Sequence, residues 1–88
     1  MIVIFHKAVS ITLLEGTSLE VCFEDGTTKR YNMMALFPKY PQIKQLEDRA
    51  LFLEGKLTGA YGIVWNDDLD IETETIYENG ETVRKEQI

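Results

Sequence analysis

Apolar and polar residues alternate along residues 9–33, and this alternation constrains the fold more than any other feature of the chain. A period of two is typical of β-strands that bury one face and expose the other. The apolar members of the first two strands are Val9, Ile11, Leu13, Leu19, Val21 and Phe23. The pattern continues from residue 27 to residue 33, so the segment predicts three consecutive strands joined by short turns.

The turn at residues 24–26 determines how the second and third strands pair. A two-residue loop would place Tyr31 and Leu19 on opposite faces of the sheet, whereas a three-residue loop with a left-handed Gly26 places them opposite each other. The longer loop keeps the apolar side chains on one face. We therefore expect the three-residue loop and its register.

The apolar period changes to helical spacing between residues 34 and 57. Pro41 suits the first turn of a helix, where the missing N–H has no partner in any case, and Asp48 suits the cap of a second helical turn. Residues 57–66 return to strand character. We expect short helices here, followed by a strand.

An acidic segment joins that strand to a predicted C-terminal helix. Asp70 is placed to accept hydrogen bonds from the free N–H groups at the helix start, and Asn79-Gly80 is placed to form a left-handed stop. Residues 81–88 have mixed charge and no clear period. We expect most of them to form an exposed tail, with an edge strand at residues 82–83 as the alternative.

These patterns predict a single α+β domain over residues 1–80 and a charged tail over residues 81–88. The domain is an antiparallel β-meander, of three N-terminal strands plus one or two later strands, packed with two or three short helices. A chain of 88 residues builds a core one layer deep, which leaves little room for an enclosed active site.

Charge and cysteine content exclude several classes of protein. The net charge of −6 argues against direct binding to nucleic acid, which needs clustered Lys and Arg. The apolar run at residues 1–5 is too short for a membrane span or a signal peptide. Cys22 is the only cysteine and has no partner for an internal disulfide, so we expect a cytoplasmic protein.

The carboxylates between residues 67 and 70 have the chemistry of a cation site but the wrong spacing. Counted from Asn66, the glycine position of a calcium loop holds Ile71 and its glutamate position holds Tyr77. These carboxylates are better explained as capping groups for the helix. We predict no metal site and no cofactor.

Catalytic side chains have no recognisable pattern either. His6 is the only histidine, and no Ser or Cys close to it in sequence is an obvious nucleophile. Cys22 lies on the strand face opposite Val21 and is expected to be a small, half-buried residue. We predict no catalytic residue and a protein that is not an enzyme.

The acidic C-terminal segment is the best candidate for an interaction surface. No Lys or Arg occurs between residues 67 and 83, and a surface of one charge sign attracts partners of the other. Tyr77 adds an aromatic ring beside this segment, whereas Trp65 is better placed in the core. The predicted surface consists of Asp67, Asp68, Glu74, Tyr77 and Glu78, and the expected partner is a small basic protein.

Three segments together resemble a family of small bacterial proteins classified as domain of unknown function 2442. They are Leu19–Gly26, Asp48–Phe52, and Tyr61–Ile71 with Ile76–Gly80, and the resemblance covers roughly residues 8 to 80. The resemblance implies a compact α+β domain with a β-meander packed on short helices. It implies no established activity, so no catalytic residue is transferred.

The resemblance also bears on partners, since some relatives look like companions of a second small protein in toxin–antitoxin-type gene pairs and others are fused to helix-turn-helix segments. A non-enzymatic interaction domain is therefore the leading hypothesis. Two alternatives stay open: an enzyme that binds a small molecule or metal through His6, Tyr61 or the carboxylates, and a module that self-associates through an edge strand.

Overall fold

A computed structural model of the chain describes residues 5–85 and contains two antiparallel sheets and several short helices. The strands are β1 (Ala8–Leu13), β2 (Ser18–Phe23), β3 (Thr27–Asn32), β4 (Lys56–Thr58), β5 (Gly62–Asn66), β6 (Leu69–Glu72) and β7 (Glu81–Lys85). The helices are two 3₁₀ helices, Met33–Leu36 and Pro41–Glu47, and two α-helices, α1 (Arg49–Phe52) and α2 (Thr73–Asn79). The α+β class and the meander are confirmed, and the later strands within residues 5–85 number four, where the sequence indicated one or two. The expectations for residues 1–4 and 86–88 lie outside the described residues.

The larger sheet has the strand order β1-β2-β3-β7, and its hairpin β2–β3 has the predicted register. Leu19 lies opposite Tyr31. Gly26 has a φ of 89°, and its N–H donates to the Phe23 carbonyl at 3.0 Å. The three-residue loop is confirmed, because only this register places Tyr31 opposite Leu19 on the buried face of the sheet.

The start of β1 departs from the simple alternation. The pairing with β2 shifts between Ala8 and Ser10, so Val9 is an extra residue in a bulge. Val9 is 58% exposed, and Ala8, opposite Phe23, is buried in its place. The prediction that Val9 faces the core is wrong, because one inserted residue reverses the inward and outward positions.

The end of the chain adds a strand to the larger sheet. β7 pairs antiparallel with β3, with Thr82 opposite Lys29 and Arg84 opposite Thr28. The Lys29 ammonium also donates to the Thr82 hydroxyl at 2.6 Å. The interpretation of residues 81–85 as tail is wrong and the alternative of an edge strand is confirmed, because β3 would otherwise leave its outer backbone groups unpaired.

The smaller sheet has the order β4-β5-β6 and includes the acidic segment. Asp70 lies within β6 opposite Val64, and it caps no helix. α2 begins only at Thr73, with Glu72 as its N-cap residue and no side-chain capping bond. Gly80 is extended, with φ −76°, so the predicted left-handed stop is also wrong. Strand pairing along β6 satisfies the backbone of residues 69–72, which capping alone would not.

Both sheets and the helices share one core. Leu19, Val21, Met33, Phe52, Ile63 and Ile76 are among its fully buried side chains. The Trp65 indole N–H donates to the Phe52 carbonyl at 3.0 Å inside this core. The predicted cap at Asp48 is confirmed, since its carboxylate accepts the Ala50 N–H at 3.0 Å, and Pro41 opens a 3₁₀ helix as expected. The core joins β5 to α1 and α2, and this packing positions the surface on which α2 lies.

Candidate functional site

His6 is hydrogen-bonded to the first turn of α2 through one carboxylate. Its backbone N–H donates to Glu74 Oε1 at 2.9 Å, and its ring Nδ1 lies 2.9 Å from Glu74 Oε2. The His6 side chain is 35% exposed and that of Glu74 is 16% exposed. A carboxylate in the first turn is also favoured by the positive end of the helix dipole. The contact therefore orients the His6 ring and ties the start of the described chain to its last helix.

Tyr77 lies at the centre of the same surface. Its ring is stacked on His6 with centroids 3.5 Å apart and packs edge to face with Phe23 at a centroid distance of 4.8 Å. Its hydroxyl donates to Asp25 Oδ2 at 2.6 Å, and the Lys29 ammonium lies 5.3 Å from its ring centroid. These contacts join α2, the β2–β3 turn and the N-terminal segment. We call His6, Asp25, Glu74 and Tyr77 the His6 cluster.

The hydrogen bond between Tyr77 and Asp25 moves both pKa values away from neutrality. Accepting the bond stabilises the carboxylate and lowers the pKa of Asp25, and donating it stabilises the phenol and raises the pKa of Tyr77. The Asp25 contribution to stability is present above its unfolded pKa of about 3.9 and is lost as pH falls through the lowered value. The Tyr77 contribution is present below about pH 10 and is lost as pH rises through the raised value.

Tyr77→Phe is expected to lower the free energy of unfolding by about 0.5–1 kcal/mol at neutral pH, a modest loss because Asp25 is exposed to water. Urea unfolding at a series of pH values measures the difference from the parent protein. We expect that difference to be constant between about pH 5 and 9 and to shrink beyond about pH 4 and 10. Tyr40→Phe removes an exposed phenol and is expected to change nothing. An undiminished difference at about pH 2 would contradict the assignment.

Two surface cavities lie beside the His6 cluster and share Glu72 as a lining residue. The first has a volume of about 260 Å³ and is lined by Phe5, Tyr61, Glu72 and Glu74. The second has a volume of about 230 Å³ and includes Tyr40, Asp70 and Glu72 in its lining. We call the two together the acidic groove, defined by Phe5, Tyr40, Tyr61, Asp70, Glu72 and Glu74. It combines carboxylates with exposed aromatic rings.

The His6 cluster resembles part of a catalytic constellation, but it contains no serine, threonine or cysteine. A carboxylate that orients a histidine ring is the arrangement of a base and its positioning group. A further cavity of about 310 Å³ next to His6 is lined by Phe5, His6, Lys7, Glu24 and Asp25. Those lining residues carry no hydroxyl or thiol group. Within residues 5–85, no group of three or more His, Cys, Asp or Glu side chains is placed to hold a metal ion.

The structure brings together only part of the predicted interaction surface. Glu74 and Tyr77 both contact His6, and Glu78 is exposed one helical turn after Glu74. Asp67 and Asp68 lie instead in the turn between β5 and β6, at the opposite end of that hairpin from Glu72. Four residues of strand separate the two ends by roughly 13 Å. The acidic segment is therefore divided between two places.

Several residues of the site carry no signal in the sequence. His6 contacts Glu74, which is 68 positions away in sequence, and Tyr77 contacts Asp25, which is 52 positions away. Helical and strand periodicities relate only residues within one segment, so they do not predict these contacts. Phe5 precedes every patterned segment of the chain. The one available signal was the presence of a single histidine, and its partners became visible only in three dimensions.

The described region contains no helix that is long and apolar enough to cross a membrane. A family model described as "Protein of unknown function (DUF2442)" matches residues 8–82, and thus includes most of the acidic groove but neither Phe5 nor His6. Comparisons with curated proteins and with solved structures give no significant match. The chain belongs to the DUF2442 family of proteins of unknown function.

Proposed function

We propose that this chain is a non-enzymatic, cytoplasmic interaction domain whose acidic groove binds a small basic protein. The observation that carries the proposal is the pair of cavities that share Glu72, each lined by carboxylates and at least one exposed aromatic ring. Aromatic side chains are enriched at protein interfaces and supply much of their binding energy. Carboxylates beside them select a partner of positive charge.

The charges of the groove are available to a partner. Asp70 and Glu72 are exposed, and within residues 5–85 neither side chain has a hydrogen bond or an ion pair. The whole chain carries a net charge of −6, which steers basic molecules toward it over longer distances. A basic protein encoded beside this chain, as in toxin–antitoxin-type gene pairs, is the partner we propose.

Self-association through an edge of the larger sheet has less support. β1 carries the Val9 bulge, and bulges protect an edge against pairing with another chain. β7, the other edge of the larger sheet, carries exposed charged residues at Glu81 and Arg84. Both edges therefore have features that oppose a continuous sheet with a second copy.

Coexpression with the product of the neighbouring gene tests the proposal, followed by calorimetry on the purified pair. We expect a stoichiometric complex whose affinity falls with increasing salt. The double variant Asp70→Asn/Glu72→Gln is expected to weaken binding about five- to thirtyfold, from about 0.5–1 kcal/mol for each exposed charge. Sedimentation of the protein alone should give a monomer.

The matched control is Glu47→Gln/Glu54→Gln, which removes the same charge from exposed positions that line neither cavity. It is expected to bind like the parent protein. Equal loss of binding affinity in both double variants would show that the effect comes from net charge alone, and it would contradict the acidic groove as the binding site. Weakening by Asp67→Asn/Asp68→Asn alone would move the interface to the β5–β6 turn. A protein that purifies without any such partner would remove the main support.

A further inference from the structure

We infer that the cavity lined by Phe5, Tyr61, Glu72 and Glu74 accepts one cationic side chain of the partner, an arginine or a lysine. We call this cavity the cation seat. The inference rests on the proposed function and adds the chemical group that enters the groove. The volume of about 260 Å³ lies below the roughly 300–1,000 Å³ of pockets for drug-sized ligands, which favours a single side chain.

Two aromatic rings form walls of the cation seat. The Phe5 and Tyr61 centroids are 6.4 Å apart with an angle of 67° between the ring planes. The two residues are 51% and 47% exposed, so the core does not cover them. The face of an aromatic ring carries partial negative charge and attracts a cation within about 6 Å of its centroid. The rings therefore offer a cation more than apolar contact.

The carboxylates determine the sign of the charge that enters. Glu74 already accepts two hydrogen bonds from His6, which fixes its position, whereas Glu72 has no side-chain partner within residues 5–85. An apolar side chain in this cavity would remove water from Glu72 without replacing its hydrogen bonds. An anion would be repelled. Only a cation can pair with Glu72 and also be attracted by an aromatic ring.

The walls of the cation seat are held by backbone contacts. The Tyr61 carbonyl accepts the Thr73 N–H at 2.9 Å, which connects this wall to the start of α2. Phe5 directly precedes His6, whose backbone N–H is bonded to Glu74. A site whose walls are already in position loses little conformational entropy when a ligand binds. The His6–Glu74 contact thereby acquires a role in placing Phe5.

Titration with two short peptides tests the inference. Acetyl-Gly-Arg-Gly-amide carries the cation, and the same peptide with citrulline has the same shape without the charge. Amide NMR signals of residues 61 and 72 are expected to shift saturably with the arginine peptide. We expect the citrulline peptide to bind at least about fivefold more weakly, since it loses both the cation–π attraction and the ion pair. Equal binding of the two peptides would overturn the cation seat.

Variants of the walls separate the charge effect from apolar contact. Tyr61→Leu keeps an apolar side chain but removes the ring, and it is expected to weaken the arginine peptide about two- to fivefold. Tyr61→Phe keeps the ring and should bind like the parent. Glu72→Gln is expected to weaken binding, and Glu47→Gln is not. Circular dichroism verifies that each variant is folded. Parent-like binding by Tyr61→Leu, or signals that shift elsewhere on the surface, would refute the inference.

The outcomes also separate this inference from the proposed function. If the arginine peptide does not bind the cation seat while Asp70→Asn/Glu72→Gln still weakens the protein complex, the acidic groove binds its partner without a cationic side chain in that cavity. If the peptide binds the cation seat while no basic protein requires Asp70 and Glu72 for binding, the inference about the cation seat is retained and the proposed function is wrong.

Discussion

Phe52→Ala is expected to lower the free energy of unfolding by about 3–5 kcal/mol, a large part of the roughly 5–15 kcal/mol that stabilises a typical domain. Phe52 is fully buried, and its ring stacks on Trp65 at a centroid distance of 6.3 Å. Truncation leaves a cavity where α1 meets β5, and the indole loses its neighbour. A core one layer deep has few other side chains to fill that space.

Urea unfolding followed by far-UV circular dichroism measures this loss, and the fluorescence of Trp65 gives a second probe. Leu53→Ala is the matched control, because Leu53 directly follows in sequence and is 54% exposed. Its expected effect is within about 0.5 kcal/mol, as for other surface substitutions. Similar losses in the two variants would show that α1 does not contribute to the core as the packing implies.

Gly80→Ala is expected to destabilise the protein by about 2–3 kcal/mol. A Cβ atom at this position would lie 2.6 Å from the Ile76 carbonyl oxygen and 3.0 Å from that of Arg30. Both atoms belong to backbone, of α2 and β3, which cannot move aside as a side chain would. The φ of −76° is accessible to alanine, so the cost comes from space and not from conformation.

Hydrogen exchange resolves where Gly80→Ala acts. We expect the amides of β7 to lose protection first, because Gly80 allows the chain to pass closely between α2 and β3 before β7 begins. Gly59→Ala is the comparison, since Gly59 has a φ of +67° and a Cβ atom added there would have open space around it. It is expected to cost about 1–2 kcal/mol through backbone strain and to leave β7 protected. Unchanged protection of β7 in Gly80→Ala would contradict the packing argument.

The N-terminal meander was predictable because its determinants are local. A three-residue turn with Gly26, together with the alternation of β2 and β3, leaves one register that places Tyr31 on the same face as Leu19. The cap at Asp48 is equally local, since its carboxylate meets the N–H groups only two and three positions later.

The errors arose where a nonlocal contact competed with a local preference. Asp70 suits a helix cap, but pairing of β6 with β5 satisfies more backbone groups than a cap does. Residues 81–85 have no apolar period, and they form a strand because β3 has an open edge beside them. Neither outcome can be inferred from the residues within one segment.

The candidate site follows the same division. The sequence alone determined that the C-terminal segment is acidic and that Glu74 and Tyr77 share one short helix, because composition and helical spacing are properties of neighbouring residues. Only the tertiary structure decided that His6 joins them and that Asp67 and Asp68 do not. Packing of the sheets around a common core brings distant segments together, and strand pairing at β5 separates carboxylates that are adjacent along the chain.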